Sequence, residues 1–270
     1  DLKVRNDDAY TPHGVSGKRP DRAVIVYSQK CKQAYKDVPL MIGGIEASLR
    51  RIAQYDYWSD EIRRSVLIDS GADILLYGNA ERAIVEVSHK LAAGKTMKEI
   101  QYVRGTAVIR NATPAGWTEI DSTRIDWPGR LDEIPNPYEM KDTKNQTCST
   151  NKDDSSEGGM EEHESVVKIV PMPLHRKLNI DHATAVIRLP SFEKVRADSA
   201  LYAHASRILH LESNPQNAHA LIQRHGDKEI WVNAPPIPLE TEEMDAVFAL
   251  PYQRIAHPSY GDAKIPAYDM

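Results

Sequence analysis

With 270 residues, 41% of them hydrophobic and 27% charged, the chain is long enough for one large domain or two modest ones and needs no disulfide or metal to fold. No apolar run approaches the ~18 residues of a membrane span, no signal-peptide pattern opens the chain, and a net charge of −5 argues against a general nucleic-acid binder. Its 2 cysteines, Cys31 and Cys148, exclude a disulfide scaffold and fit a reducing cytoplasm.

Residues 1–20 are polar and rich in turn formers, so they read as loop. Ala23–Tyr27 (AVIVY) is a short, continuous, β-branched apolar run, which predicts a buried parallel strand. Val38–Ile42 (VPLMI) predicts a second, ending at Gly43-Gly44. From Glu46 onward Leu49, Ile52 and Ala53 share a helical face. Ser59-Asp60-Glu61 can cap a further helix running through Leu67, with carboxylates near its positive end. Asp73–Tyr77 (DILLY) predicts a third strand. Gly78-Asn79 then turns into a helix with Ala83, Ile84, Val87 and Leu91 on one face, stopped by Gly94. Strand alternating with helix predicts an α/β fold with a doubly wound parallel sheet over residues 20–110.

Residues 111–140 carry four of the chain's prolines and read as an irregular covering segment. Residues 141–165 hold Cys148 and Met160 as their apolar content, too little to offset the entropy of ordering, which predicts a flexible insertion. Within 166–270 the pattern is helical and mixed. Ala185–Leu189 predicts a strand, and the run after Asp198 a helix with Leu201, Ala205, Ile208 and Leu209 on one side. Asn214-Pro215 predicts the start of a helix ending at His225-Gly226. Glu229–Asn233 predicts a strand, and Thr241 onward a last helix bearing Met244, Val247 and Phe248, closed by Pro251.

The strongest local features are the two strand–glycine–helix junctions, Ile42–Ser48 (IGGIEAS) and Tyr77–Glu81 (YGNAE). Glycine at the carboxyl end of a parallel strand lets a ligand approach the backbone, and the free N–H groups of the next helix favour anions. A glycine there also serves a tight turn with no ligand, and neither junction is a G-x-G-x-x-G or a Walker loop. Arg50-Arg51 and Arg63-Arg64 flank Tyr55-Asp56-Tyr57-Trp58. Such a pattern stacks a base or, more commonly, pairs its arginines with Asp56, Asp60 and Glu61 on a solvated face. His204, His210, His219 and His225 lack the i,i+4 spacing of a helical metal site. No G-x-S-x-G marks a serine nucleophile. The sequence therefore predicts no self-contained catalytic centre.

Several segments resemble the amino-terminal region of the YgiQ-type radical SAM proteins: DDAYTPHGVSGKRPDRAVIVYSQ, GGIEASLRRIAQYDYWSD, VIRLPSFEKV, LHLESNPQNAHALIQRHGDKEIWVNAPPIPL and LPYQRIAHPSYGDAKIPAYDM. The resemblance covers nearly the whole chain except 141–165. It implies a Rossmann-like domain, similar to the cobalamin-binding domain that precedes a radical SAM barrel, with further sheet upstream of Asp1. It also implies a cluster-binding C-x-x-x-C-x-x-C shortly beyond Met270. An excised segment fits a chain that opens on Asp1. By the same resemblance, Gly43, Gly44, Glu46, Gly78, Asn79 and Glu81 line the cofactor crevice. The 4Fe-4S cluster and S-adenosyl-L-methionine would belong to the full-length parent, whose barrel is the expected partner, acting on an unknown small-molecule substrate. Two departures limit the carry-over: the cobalt-ligating D-x-H-x-x-G is absent, which puts cobalamin in doubt, and so are the cluster cysteines. The expected function is an accessory domain that shapes or caps the barrel's active site. The alternatives are a non-catalytic interaction scaffold with a vestigial crevice, or a small-molecule or nucleotide-binding module.

Overall fold

A computed structural model describes residues 6–129, 137–138, 182–253 and 255–269. Apart from Tyr138, which belongs to a second unit over 138–179, these residues form one compact unit. The segment expected as a flexible insertion lies outside the described residues.

The chain builds a sheet flanked by helices on both faces, in keeping with the expected α/β, Rossmann-like class. The elements in order are α1 (Ala23–Ala34), β1 (Met41–Ile42), α2 (Gly44–Leu49), β2 (Gln54–Asp56), β3 (Glu61–Arg63), α3 (Val66–Ser70), β4 (Ile74–Leu76) and α4 (Glu81–Ala92). Then come β5 (Thr106–Arg110), β6 (Thr118–Asp121), β7 (Ala185–Arg188), α5 (Phe192–Ala197), α6 (Ser199–Leu211), β8 (Ala220–His225), β9 (Lys228–Val232), α7 (Thr241–Phe248) and α8 (Pro266–Asp269). Seven strands form one sheet in the order β1-β4-β5-β9-β8-β7-β6, while β2 and β3 make a separate hairpin.

The sheet is mixed rather than wholly parallel. β1/β4, β6/β7 and β7/β8 pair parallel, and β4/β5, β5/β9 and β8/β9 pair antiparallel. Strand alternation sends successive side chains to opposite faces. Leu75, Ala107, Ile187, Leu221 and Ile230 join one core with Ala47 of α2, Leu67 of α3 and Ile208 of α6. Ile74, Val108, Val186, Ile222 and Trp231 join the other, under Ala83 and Val87 of α4.

Three expected elements change type. Ala23–Tyr27 is the start of helix α1, not a strand. Val24 and Ile25 pack against the first core, Ser28 is buried and Lys32 is half-buried. Those four residues recur at helical spacing, so tertiary packing overrides the β propensity of the apolar run. The helix expected over 59–67 is instead strand β3 followed by the short α3. Tyr57-Trp58-Ser59-Asp60 turns the chain, with Asp60 in a left-handed conformation (φ 53°). α3 is capped by Ser65, whose Oγ accepts from the Leu67 N–H at 3.3 Å. The helix expected from Asn214-Pro215 is a turn leading into β8, which pairs with β9 from Leu221 to His225. The segment after 182 therefore supplies β7, β8 and β9 to the same sheet, and the sheet crosses the expected boundary at 110. Within 111–140, Thr118–Asp121 is an edge strand rather than irregular chain.

The helix expected from Glu46 onward stops at Leu49, which is exposed, while Ile52 and Ala53 are buried beyond its end and the chain continues into β2. The following elements hold in place. β4, α4, β7, α6, β9 and α7 lie where the pattern put them, with Asp198 capping α6 through the Ala200 N–H at 2.8 Å. β1 is shorter than expected. Ile84, expected on the apolar face of α4, is exposed.

One buried group makes the fold pH-sensitive. His225 ends β8, stacks on Phe192 at 5.5 Å and meets the Gln223 Oε1 at 3.1 Å. Burial pushes its pKa down to about 4. The unfolded chain takes up a proton near pH 6.5 and the folded chain does not until about pH 4. Stability from this residue is therefore complete above about 6.5 and is lost as pH falls towards 4. We expect His225→Phe, which keeps the stacking, to flatten the decline across that window by on the order of 3 kcal/mol in urea titrations. An unchanged pH slope would refute the assignment.

Candidate functional site

The parallel pairing of β1 with β4, Ile42 opposite Leu75, places their carboxyl ends side by side. Both glycine junctions therefore meet at one edge of the sheet. Gly44 (φ 81°) and Gly78 (φ 66°) hold left-handed conformations that a β-carbon would strain. The Gly78 N–H donates to the Ser48 Oγ at 3.3 Å, which ties the start of the second junction to α2. Sequence spacing alone did not single out Ser48's part in this.

The six candidate residues behave differently. A β-carbon on Gly43 would lie 3.6 Å from the Leu76 carbonyl, an ordinary contact, and Gly44 has open space beside it. Glu46 is engaged by neighbouring structure: it accepts from the Val24 N–H at the start of α1 (3.3 Å) and from Arg50 (2.7 Å). At Gly78 the close neighbour is the chain's own Pro236. A β-carbon there would sit 3.4 Å from the proline ring, and the ring also lies against Gly105. Asn79 is exposed. Glu81 opens α4, and its Oε2 is buried without a hydrogen-bond partner among the described residues.

The floor beside these junctions contains residues that the sequence had placed elsewhere. Arg51, expected on a solvated face, lies 4.6 Å over the ring of Tyr77 and donates to the Ser48 carbonyl. Burial lowers the Arg51 pKa. Burial also raises the Tyr77 phenol well above its ordinary value, and its hydroxyl donates to the Asn233 carbonyl. Tyr77 is thus held neutral and fixed. The other arginines form ion pairs, but Asp56 is the one expected partner that takes part: Arg50 pairs with Glu46, and Asp60 accepts from the Tyr55 hydroxyl instead. Arg63 lies 3.8 Å from Asp56, Arg64 pairs with Asp69 at 2.7 Å, and Arg22 takes Asp56 at 2.6 Å.

Electrostatically, Glu46 and Glu81 stand in the first turns of α2 and α4 and already answer the positive ends of those helices. That disfavours a phosphate at either junction. The arrangement offers backbone N–H groups, an amide and a rigid aromatic–guanidinium floor: groups that position a neighbour rather than break a bond.

The junctions also predict a difference between glycines. Gly78→Ala should cost about 1–2 kcal/mol, because it adds strain at a left-handed position pressed by Pro236. Gly43→Ala, in extended backbone (φ −158°), should change stability by under about 0.5 kcal/mol. Thermal melts of the two variants test this, and equal losses would contradict it.

Cavities also flank the unit. One of about 660 Å³ lies between α4 and α7 and includes Glu81, Arg82, Val85 and Glu243 in its walls. An adjoining one of about 650 Å³ lies between α7 and the chain after it, and the two share Val247. Another, about 490 Å³, lies at the other end of β5 beside Arg110. Arg110 is sandwiched between Tyr102 (4.3 Å) and Trp231 (4.1 Å), which accounts for its burial. Among the described residues, no three His, Cys, Asp or Glu side chains come together as metal ligands, and no helix is long and apolar enough to cross a membrane.

Residues 1–270 match the radical SAM N-terminal family from end to end. The chain belongs to that family. This radical SAM N-terminal chain is 59% identical over 271 residues to a UPF0313 protein of Pseudomonas aeruginosa, covering 100% of this chain and 35% of that one. It is 58% identical over 271 residues to one of Vibrio vulnificus, covering 100% and 33%. The UPF0313 protein YgiQ of Salmonella typhimurium is 55% identical over 270 residues, covering 100% and 36%. The chain thus spans about a third of the length of the curated relatives it matches, as an amino-terminal segment. No solved structure matches it.

The radical SAM context raises the question of an iron–sulfur cluster. The donor set of this chain does not fit one. A cluster that leaves one iron open for S-adenosylmethionine needs three thiolates close together. The chain has 2 cysteines, of which Cys31 is exposed on α1 and Cys148 lies outside the described residues.

Proposed function

We propose that this chain is the amino-terminal accessory domain of a cytoplasmic radical SAM iron–sulfur enzyme, shaping or capping the active site of a downstream barrel in the same polypeptide. The observation that carries this is the end-to-end family match over a segment that makes up about a third of its relatives. In the full-length protein a 4Fe-4S cluster and S-adenosyl-L-methionine would supply radical chemistry. Their ligands would lie outside residues 1–270. This chain's own contribution would come from the joined carboxyl ends of β1 and β4. Gly43, Gly44 and Asn79 would provide backbone and amide contacts to the unknown small-molecule substrate or to the barrel. Glu81 would provide an acceptor. Glu46 would hold α1 against α2.

A second reading is favoured by one observation. Pro236 packs beside Gly78 and Gly105 and narrows the approach to the junction while Gly78 itself stays exposed, as it would in a scaffold whose crevice is vestigial. A nucleotide-binding module is less well supported, because both helix starts already carry a carboxylate.

The test is anaerobic reconstitution with iron and sulfide of the full-length polypeptide and of residues 1–270. Iron–sulfur absorbance in the long protein and none in the short one is the expected result. A full-length protein with no cluster would sink the proposal. Asn79→Ala and Glu81→Gln in the full-length protein separate the two readings. Weaker substrate or S-adenosylmethionine binding supports a working crevice, and unchanged binding supports the scaffold.

A further inference from the structure

Helix α7 carries Met244, Val247 and Phe248, yet none of its residues is buried. An eight-residue helix is marginal in water and needs an apolar surface to pack against. Here it is held by a capping box at Glu240 and Glu243 and by the ion pair of Glu243 with Arg82 of α4. The apolar surface continues along the chain: Leu250 is 48%, Tyr252 63% and Ile255 58% exposed. The two cavities that share Val247 run beneath this strip, so it is grooved rather than flat. Contiguous exposed apolar surface of this kind marks an interaction site.

We propose that this strip, α7 together with residues 249–253 and Ile255, is the docking surface for the part of the same polypeptide that follows residue 270. The proposal rests on the reading of the chain as the amino-terminal part of a longer radical SAM protein. Relatives matched over the whole of this chain are about three times as long, so an intramolecular partner of ample size adjoins the strip in sequence. The charge around it argues against the other occupants. Glu240, Glu242 and Asp245 are exposed along its rim. Two copies meeting isologously would set those carboxylates against each other, and an anionic membrane would repel them. A covalently linked domain reaches the strip at high effective concentration and brings no such penalty.

A photo-crosslinking amino acid placed at Leu250 or at Ile255 of the full-length protein tests this. Tyr35 serves as the control, exposed at the end of α1 on the opposite face of the sheet. Cross-links within the monomer to peptides beyond residue 270, several-fold above those from Tyr35, are the expected result. A dimer-sized product, or yields from both sites no higher than from Tyr35, overturns the proposal. Iron–sulfur absorbance of the same preparation keeps the two ideas apart. Downstream cross-links without a cluster would refute the radical SAM reading and leave the docking surface standing. A cluster without such cross-links would do the reverse.

Discussion

Trp231→Ala is expected to lower stability by about 4 kcal/mol, near the upper end for removing a buried aromatic. Trp231 is completely buried in β9, in the middle of the sheet. Its ring meets Trp117 edge-on at 4.9 Å and supports the Arg110 guanidinium at 4.1 Å. Its Nε1 donates to the Asn233 Oδ1 at 3.0 Å. Asn233 in turn donates to Thr106 and to the Gln101 carbonyl, both at 2.9 Å. Truncation would leave a cavity, an amide short of one partner and a buried cation without one aromatic face. A fall of roughly 1–2 M in the urea midpoint is the measurable form of that loss. Trp231→Phe retains much of the packing and should lose less than half as much. A Trp231→Ala loss below about 1.5 kcal/mol would mean that β9 is not the centre of this core.

The second large effect lies at a buried ion pair beside β6. Arg207 on α6 and Asp126, just past β6, pair at 2.6 Å with both side chains nearly inaccessible. Burial exacts a desolvation penalty from both charges, so removing Asp126 alone takes a close carboxylate partner from the buried Arg207 charge. Asp126→Ala should therefore cost about 3–5 kcal/mol. Asp126→Leu combined with Arg207→Met should recover most of it, since an apolar pair of similar volume restores packing without desolvated charge. A double-mutant cycle by urea denaturation gives the coupling, and simple additivity would show the pair to be energetically idle. Because water and salt are excluded, the loss should barely change over an about tenfold range of salt, from roughly 0.05 to 0.5 M.

Much of the architecture was legible wherever one residue pattern has one structural solution. DILLY followed by Gly78 and the Ala83–Val87–Leu91 face gave β4 and α4 because a buried strand and an amphipathic helix have different periods. AVIVY misled because β-branched propensity is a weak local preference. Val24 and Ile25 had a core to pack against, and the Glu46 carboxylate, more than twenty residues away, caps the helix they begin. Asn214-Pro215 carried a sound helix-start signal. The following Ala220–His225 gained more from pairing with β9 than from a solitary helix. The mixed sheet was out of reach for the same reason: which strand lies beside which is decided by pairings such as Val108 with Trp231, remote in sequence. The meeting of the two glycine junctions was readable from their shared strand–glycine–helix form. The proline beside Gly78 was not, since nothing local to Gly78 announces a segment about 160 residues later.

The place of β9 has a consequence for how the chain is made. It joins the β1-β4-β5 group to the β8-β7-β6 group, yet among the described residues it is the last strand to be synthesised. Arg110 and its ladder partner Glu229 are 119 residues apart. At ribosomal rates of about 5–20 residues per second, the edge of β5 waits roughly 6–24 s for its neighbour. During that time a row of unpaired amides flanked by Ala107, Val108 and Ile109 is open to other chains. A nascent chain stalled before residue 228 should therefore be a strong client for chaperones that bind extended apolar segments, and one stalled well after residue 233 a weak one.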